Sequence, residues 1–77
     1  MLIDLTQLKP GKTGTVAEIQ GGQEMIRKAH VMGVRPGKKI KKVSSHFWRG
    51  PQTVLIDNLR VAIGYGIAQR IFVEVER

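Results

Sequence analysis

A chain of 77 residues without cysteine cannot contain a disulfide, a thiolate metal site or a cysteine nucleophile. With 42% hydrophobic and 25% charged residues, the composition is typical of one small globular domain over residues 1–77, and not of a disordered or fibrous chain. Thirteen Lys and Arg residues outnumber six Asp and Glu residues, and the resulting net charge of +7 favours anionic partners such as nucleic acid, an acidic protein surface or lipid headgroups.

Neither the N-terminal segment nor the uncharged run near the C-terminus is typical of a targeting or membrane-spanning segment. The N-terminal segment MLIDLTQL contains Asp4 and lacks a basic stretch before a long apolar run, so it is not typical of a secretory signal. The uncharged run VAIGYGIAQ is far shorter than the roughly 20 apolar residues of a spanning helix. These features predict a cytoplasmic protein that does not insert into a membrane.

Two four-residue segments, KPGK and RPGK, each predict a type II turn that leads into a strand. In such a turn, proline at the second position presets φ, and glycine at the third position accepts a positive φ. The two turns place these residues at Pro10 and Gly11 and at Pro36 and Gly37.

The segment TGTVAEI, residues 13–19, predicts the first strand because it alternates and is rich in β-branched residues. Its buried face is ambiguous, since Val16 and Ile19 fall on opposite faces of a regular strand. An isolated glycine within a strand is typical of a bulge, so Gly14 is the predicted position of a register shift.

The segment EMIRKAHVM predicts one short helix, because Met25, Ala29 and Met32 share one helical face. Gly33 follows the last of these residues and is placed to end the helix in the left-handed conformation. Val34 would then fold back toward Ala29. A helix of this length must dock on a sheet to be stable.

Four further strands are predicted in KKIKKVSS, PQTVLIDN, LRVAI and QRIFVEVER. Asn58 can adopt a positive φ, so the connection between the second and third of these is predicted to be a tight hairpin. GYGIA provides at most one helical turn before the last strand. The prediction is a mainly β fold: a small five-stranded barrel with one short helix between the first and second strands.

The order of these elements resembles the FeoA family, from LTQLKPGKTGTVAEI through MGVRPGKKI to IAQRIFVEVE. The most specific element is MGVRPG, a helix end followed at once by a turn. The resemblance implies an SH3-like barrel, as in the C-terminal domain of DtxR-type metal-dependent repressors. It also implies a non-enzymatic accessory that docks on the cytoplasmic side of FeoB, a GTPase-permease for ferrous iron. Residues 64–67, GYGI, replace the arginine and polar residues usual in the family, so no contact made through that arginine is carried over.

The loop SSHFWRGPQ is the predicted binding site, with Phe47, Trp48 and Arg49 as its main contacts. Adjacent residues of an extended segment face opposite ways, so a small barrel can hardly bury both aromatic rings. Three interpretations stay open: an aromatic lid on the barrel, a surface for a partner or for self-association, and base stacking. The exposed lysines of the preceding segment, Lys39 and Lys41, are predicted either to protect an edge strand or to contact an acidic protein or nucleic acid.

No catalytic residue, cofactor or dedicated metal site is predicted. The two histidines, His30 and His46, lack paired ligand spacing and the carboxylates are scattered, so a weak Fe(II) or Zn(II) contact is not supported. The glycines of GVRPGKK close a helix and do not open one, which argues against a phosphate-binding loop. Two alternative functions remain: a nucleic-acid-binding barrel, although nucleic acid is not the expected partner, and a metal-responsive sensor domain.

Overall fold

The described part of the chain, residues 1–45 and 48–76 of a computed structural model, forms one antiparallel sheet of six strands. The strands are β1 (Leu2–Asp4), β2 (Thr13–Ile19), β3 (Lys39–Ser45), β4 (Gln52–Ile56), β5 (Leu59–Ile63) and β6 (Ile71–Glu74). The helices are α1 (Gln23–Val31) and the single-turn α2 (Tyr65–Ala68), and a 3-10 turn spans Leu5–Gln7.

The sheet order is β1-β6-β2-β3-β4-β5. Among the described residues the outer strands β1 and β5 do not pair with each other, so the barrel is only partly closed. The mainly β class with one short helix is confirmed. The structure adds a sixth strand, β1, which pairs with β6 from Leu2↔Glu74 to Asp4↔Phe72. Three residues are too few for a recognisable alternation, which is why the sequence did not predict it.

The bulge predicted at Gly14 is wrong in position. Gly14 pairs in register with Ile40 of β3, whereas the register between β2 and β6 shifts between Val16 and Glu18. The extra residue is therefore Ala17. Because the bulge turns the strand by one residue, Val16 is buried and Ile19 is half-buried against the same core.

The C-terminal end of α1 is a Schellman motif. Gly33 has φ +90°, and its N–H donates to the carbonyl of His30 at 3.0 Å. The N–H of Val34 donates to the carbonyl of Ala29 at 2.9 Å, and both of these side chains are fully buried. The helix end is thereby fastened to the core immediately before β3.

Three further turns set the sheet geometry. In each proline–glycine turn the fourth N–H donates to the first carbonyl, at 3.0 Å for residues 9–12 and 3.1 Å for residues 35–38. Gly11 and Gly37 have φ values of +87° and +93°, which is type II geometry. Asp57 and Asn58 both have positive φ, +50° and +67°, so β4 and β5 are joined by a type I′ hairpin.

The core lies between the sheet, α1 and α2, and it is almost entirely aliphatic. Its buried hydrophobic residues are Leu5, Leu8, Val16, Ala29, Val34, Ile40, Val54, Ile56, Ile63, Ala68, Ile71 and Val73. Two polar side chains share this interior, Lys42 at 0% exposure and Gln52 at 2%. A charged group is almost never fully buried without partners. Aliphatic packing alone therefore does not explain why this pair is buried.

Candidate functional site

The β3–β4 connection presents the most exposed aromatic ring among the described residues. Trp48 is 97% exposed, and both Trp48 and Arg49 have φ +61°. A left-handed backbone is uncommon outside glycine and strained for a bulky residue, so it persists only where neighbouring contacts hold it. Phe47 and His46 lie outside the described residues.

Arg49 is held against the start of α2. Its guanidinium carbon lies 5.9 Å from the centre of the Tyr65 ring, within the range of a cation–π contact. Tyr65 is half-buried and directly follows Gly64, the residue before α2. The structure therefore adds Tyr65 to the predicted loop residues, in the segment that departs from the family pattern.

A partly buried polar network lies at the base of the same loop. The Lys42 ammonium donates to Gln52 Oε1 at 2.5 Å and lies 3.4 Å from Ser45 Oγ. The Ser45 hydroxyl donates to the same Gln52 oxygen at 2.9 Å. On its other side, the Gln52 amide donates to the carbonyl of Gly50 at 3.3 Å, which joins the network to the loop backbone.

Burial lowers the pKa of Lys42 from its ordinary value of 10.5, and the attraction of Asp4 opposes part of this shift. Desolvation disfavours the charged form of a lysine, whereas a nearby carboxylate favours it. Asp4 is engaged elsewhere: its carboxylate accepts the Thr6 N–H at 2.8 Å at the start of the 3-10 turn. The lysine therefore has hydrogen-bond partners but lacks a carboxylate in direct contact among the described residues.

Lys39 and Lys41 are exposed on the outer face of the sheet. Lys41 stands opposite Leu55, which in turn stands opposite Arg60 on β5, so Lys41 and Arg60 lie on the same face of the sheet with Leu55 between them. We call Lys39, Lys41 and Arg60 the basic face. The last residue of β3, Ser45, is four positions after Lys41, roughly 13 Å along the strand. Trp48 and Arg49 follow the end of β3, whereas Lys39 and Lys41 lie earlier on this strand.

The acidic groups of the described chain do not neutralise the basic face. The ion pairs found within residues 1–45 and 48–76 join Glu74 to the N-terminal amine, Glu24 to Arg27 and Asp57 to Lys38. None of them includes a basic-face residue or Arg49. The positive charge of this surface is therefore available to an anionic partner.

Metal coordination finds no support in the part of the chain that the structure describes. Residues 1–45 and 48–76 contain no group of three or more His, Asp and Glu side chains arranged to hold an ion. Within the same residues, neither helix has the length and apolar character needed to cross a bilayer.

Fold and site together define a small SH3-like β domain with an exposed aromatic loop and a basic sheet face. The FeoA domain family matches residues 3–75, so the chain belongs to the FeoA family. It is accordingly a small domain related to ferrous-iron transport.

Solved structures show the same architecture. An iron uptake regulatory protein (FeoA) shares 35% sequence identity, with 96% of each chain covered and a TM-score of 0.88. The iron(II) transport protein A of Clostridium thermocellum shares 27% identity over 95% of this chain and 45% of its own, with a TM-score of 0.88. A manganese-dependent transcriptional repressor shares 28% identity over 97% of this chain and 42% of the repressor, with a TM-score of 0.88. The chain thus spans less than half the length of the latter two proteins. No match was found among curated proteins.

Proposed function

We propose that this protein is a non-enzymatic accessory module of bacterial ferrous-iron transport that docks on the cytoplasmic side of the FeoB GTPase-permease. Family membership supports the transport context. The observation that carries the docking proposal is Trp48, which is 97% exposed, has a positive φ and is followed by Arg49.

The loop has the chemistry of an interface anchor. Tryptophan and arginine are the residues most enriched at interface hot spots, where truncation typically costs about 2 kcal/mol or more. A solvated indole gains this energy only when a partner covers it. Because the Arg49 guanidinium already contacts the Tyr65 ring, it loses less conformational freedom when a partner binds.

The basic face supplies the long-range part of recognition. Lys39, Lys41 and Arg60 lie on one side of the sheet without ion-pair partners among the described residues. Exposed charges of one sign accelerate the encounter with an oppositely charged surface more than they increase final affinity. The expected partner surface is therefore acidic.

Calorimetric titration with the soluble cytoplasmic domain of FeoB tests the proposal. Trp48→Ala should weaken binding about 30-fold, the equivalent of 2 kcal/mol. Val31→Ala is the matched control, because Val31 is another apolar side chain at 78% exposure but lies on α1. Absence of binding by the wild-type protein would refute the proposal. Equal losses of affinity in the two variants would mean that the loop is not the docking surface.

A parallel titration with a mixed-sequence oligonucleotide decides between this function and the nucleic-acid-binding alternative. Contacts with several phosphates would produce binding whose log–log salt slope is about −0.7 to −0.9 per phosphate neutralised. We expect no binding of the oligonucleotide even at low salt, because the described residues present one exposed aromatic ring and not a row of rings on which bases could stack. Tight, salt-sensitive binding that requires Trp48 would favour the alternative.

A further inference from the structure

A fully buried lysine beneath the candidate docking loop has no part in the function proposed above. Lys42 lies in the middle of β3 with 0% exposure, and its ammonium reaches Gln52 and Ser45. Replacing a buried charge with an apolar side chain of similar volume is often neutral or stabilising, so stability alone does not account for a lysine here. Its contacts lead toward the loop.

The Lys42 ammonium and the Ser45 hydroxyl together determine how the Gln52 amide is oriented. Gln52 Oε1 accepts from the Lys42 ammonium at 2.5 Å and from the Ser45 hydroxyl at 2.9 Å. Two donors on one side require the oxygen to face them, which turns the amide nitrogen the other way. That nitrogen donates to the carbonyl of Gly50 at 3.3 Å.

The loop backbone needs such an attachment. Trp48 and Arg49 both have φ +61°, a conformation that persists only when the surroundings over-determine it. Two contacts on the C-terminal side of the loop hold it: Arg49 over the Tyr65 ring and the Gly50 carbonyl on Gln52. The second contact depends on an amide that is oriented by the buried Lys42 ammonium and by the Ser45 hydroxyl.

We propose that Lys42 is a positioning residue that acts through Gln52 to hold the loop in the conformation that presents Trp48. The functional role of this ordering rests on the proposed function, since holding the Trp48 indole in place affects binding only if a partner covers it. The ordering itself is independent of any partner. Loss of the lysine should leave the fold in place and allow the loop to move.

The single tryptophan of the chain makes this measurable without a partner. Lys42→Met, which keeps an unbranched side chain one heavy atom shorter but removes the donor, should increase the fast component in the fluorescence anisotropy decay of Trp48. Gln52→Glu should do the same, because glutamate still accepts from Lys42 but has no donor for Gly50. Lys28→Met removes the same charge from an exposed position on α1 and should leave the decay unchanged.

Titration of the same variants with the soluble domain of FeoB should show about 2- to 10-fold weaker binding, since ordering of the loop is then required on association. An unchanged anisotropy decay in folded Gln52→Glu would overturn the proposal. This outcome decides the question even if Lys42→Met fails to fold. If the wild-type protein does not bind FeoB but the variants still show a more mobile loop, the proposed function is refuted and the positioning role is supported.

Discussion

The side chain of Val73 fills the space that a side chain on Gly14 would need: a Cβ at Gly14 would lie 3.0 Å from the Val73 Cβ and 3.1 Å from a Val75 methyl group. Because the Val73 Cβ is attached directly to the backbone of β6, it cannot swing aside. Gly14→Ala should therefore lower the free energy of unfolding by about 1–3 kcal/mol, the usual cost of overpacking. The midpoint of urea unfolding measures this change.

Gly66→Ala is the control for the substitution at Gly14. A Cβ at Gly66 meets nothing within 4 Å, and the residue lies in α2. Alanine there should leave stability unchanged or raise it by up to about 1 kcal/mol. Equal effects of the two substitutions would mean that the close packing of β2 on β6 does not limit stability.

The fold could be predicted wherever a signal is local. Alternating apolar residues such as Val54 and Ile56 report a buried strand face by themselves, and both are buried in β4. The bulge at Ala17 could not be predicted in the same way, because the register of β2 is set by its pairing with β6, far away in the chain. Gly14 was a misleading signal: the glycine is required for close packing, not for a bulge.

The end of α1 yields a second prediction. Gly33 has φ +90°, and the nearest atom to a Cβ there, an Ile56 methyl carbon, would be at an ordinary contact distance of 3.9 Å. The cost of Gly33→Ala is therefore conformational, about 1–2 kcal/mol of unfolding free energy. Gly33→Asn should cost less, because asparagine adopts the left-handed region more readily. Thermal unfolding of both variants provides the comparison, and equal losses would contradict a backbone origin.

Lys42 makes stability depend on pH. Burial lowers its pKa in the folded state below the ordinary 10.5. Between the two pKa values the unfolded chain holds the proton more often than the folded protein, so the free energy of unfolding rises with pH in this interval. Lys42→Met abolishes this contribution. The wild-type protein should thus gain stability relative to the variant as the pH approaches 10.5 from below.

Urea unfolding of the two proteins at several pH values up to 10.5 measures the difference, in which the titration of exposed lysines cancels. A difference that stays constant would mean that Lys42 is as solvated in the folded protein as in the unfolded chain. A difference that falls with pH would mean that its charged form is stabilised by the fold.

The candidate site could be predicted only in part. Trp48 and Arg49 stand out by residue type, whereas Tyr65 reaches Arg49 through tertiary structure and has no local signal. The buried pair did have one: Lys42 lies two residues after buried Ile40, and Gln52 lies two residues before buried Val54. A strand period of two places both polar side chains on the core face. The abundance of lysine in β3 obscured this parity.

The basic face yields a kinetic prediction that rests on the proposed docking. Exposed rim charges mainly affect the rate of association, while the anchor determines dissociation. In stopped-flow measurements with the soluble domain of FeoB, the double variant Lys39→Gln and Lys41→Gln should associate more slowly and lose most of its salt dependence. Its dissociation rate should stay close to that of the wild-type protein. Trp48→Ala should show the reverse pattern, and a faster dissociation of the lysine variant would place these side chains inside the contact instead of at its edge.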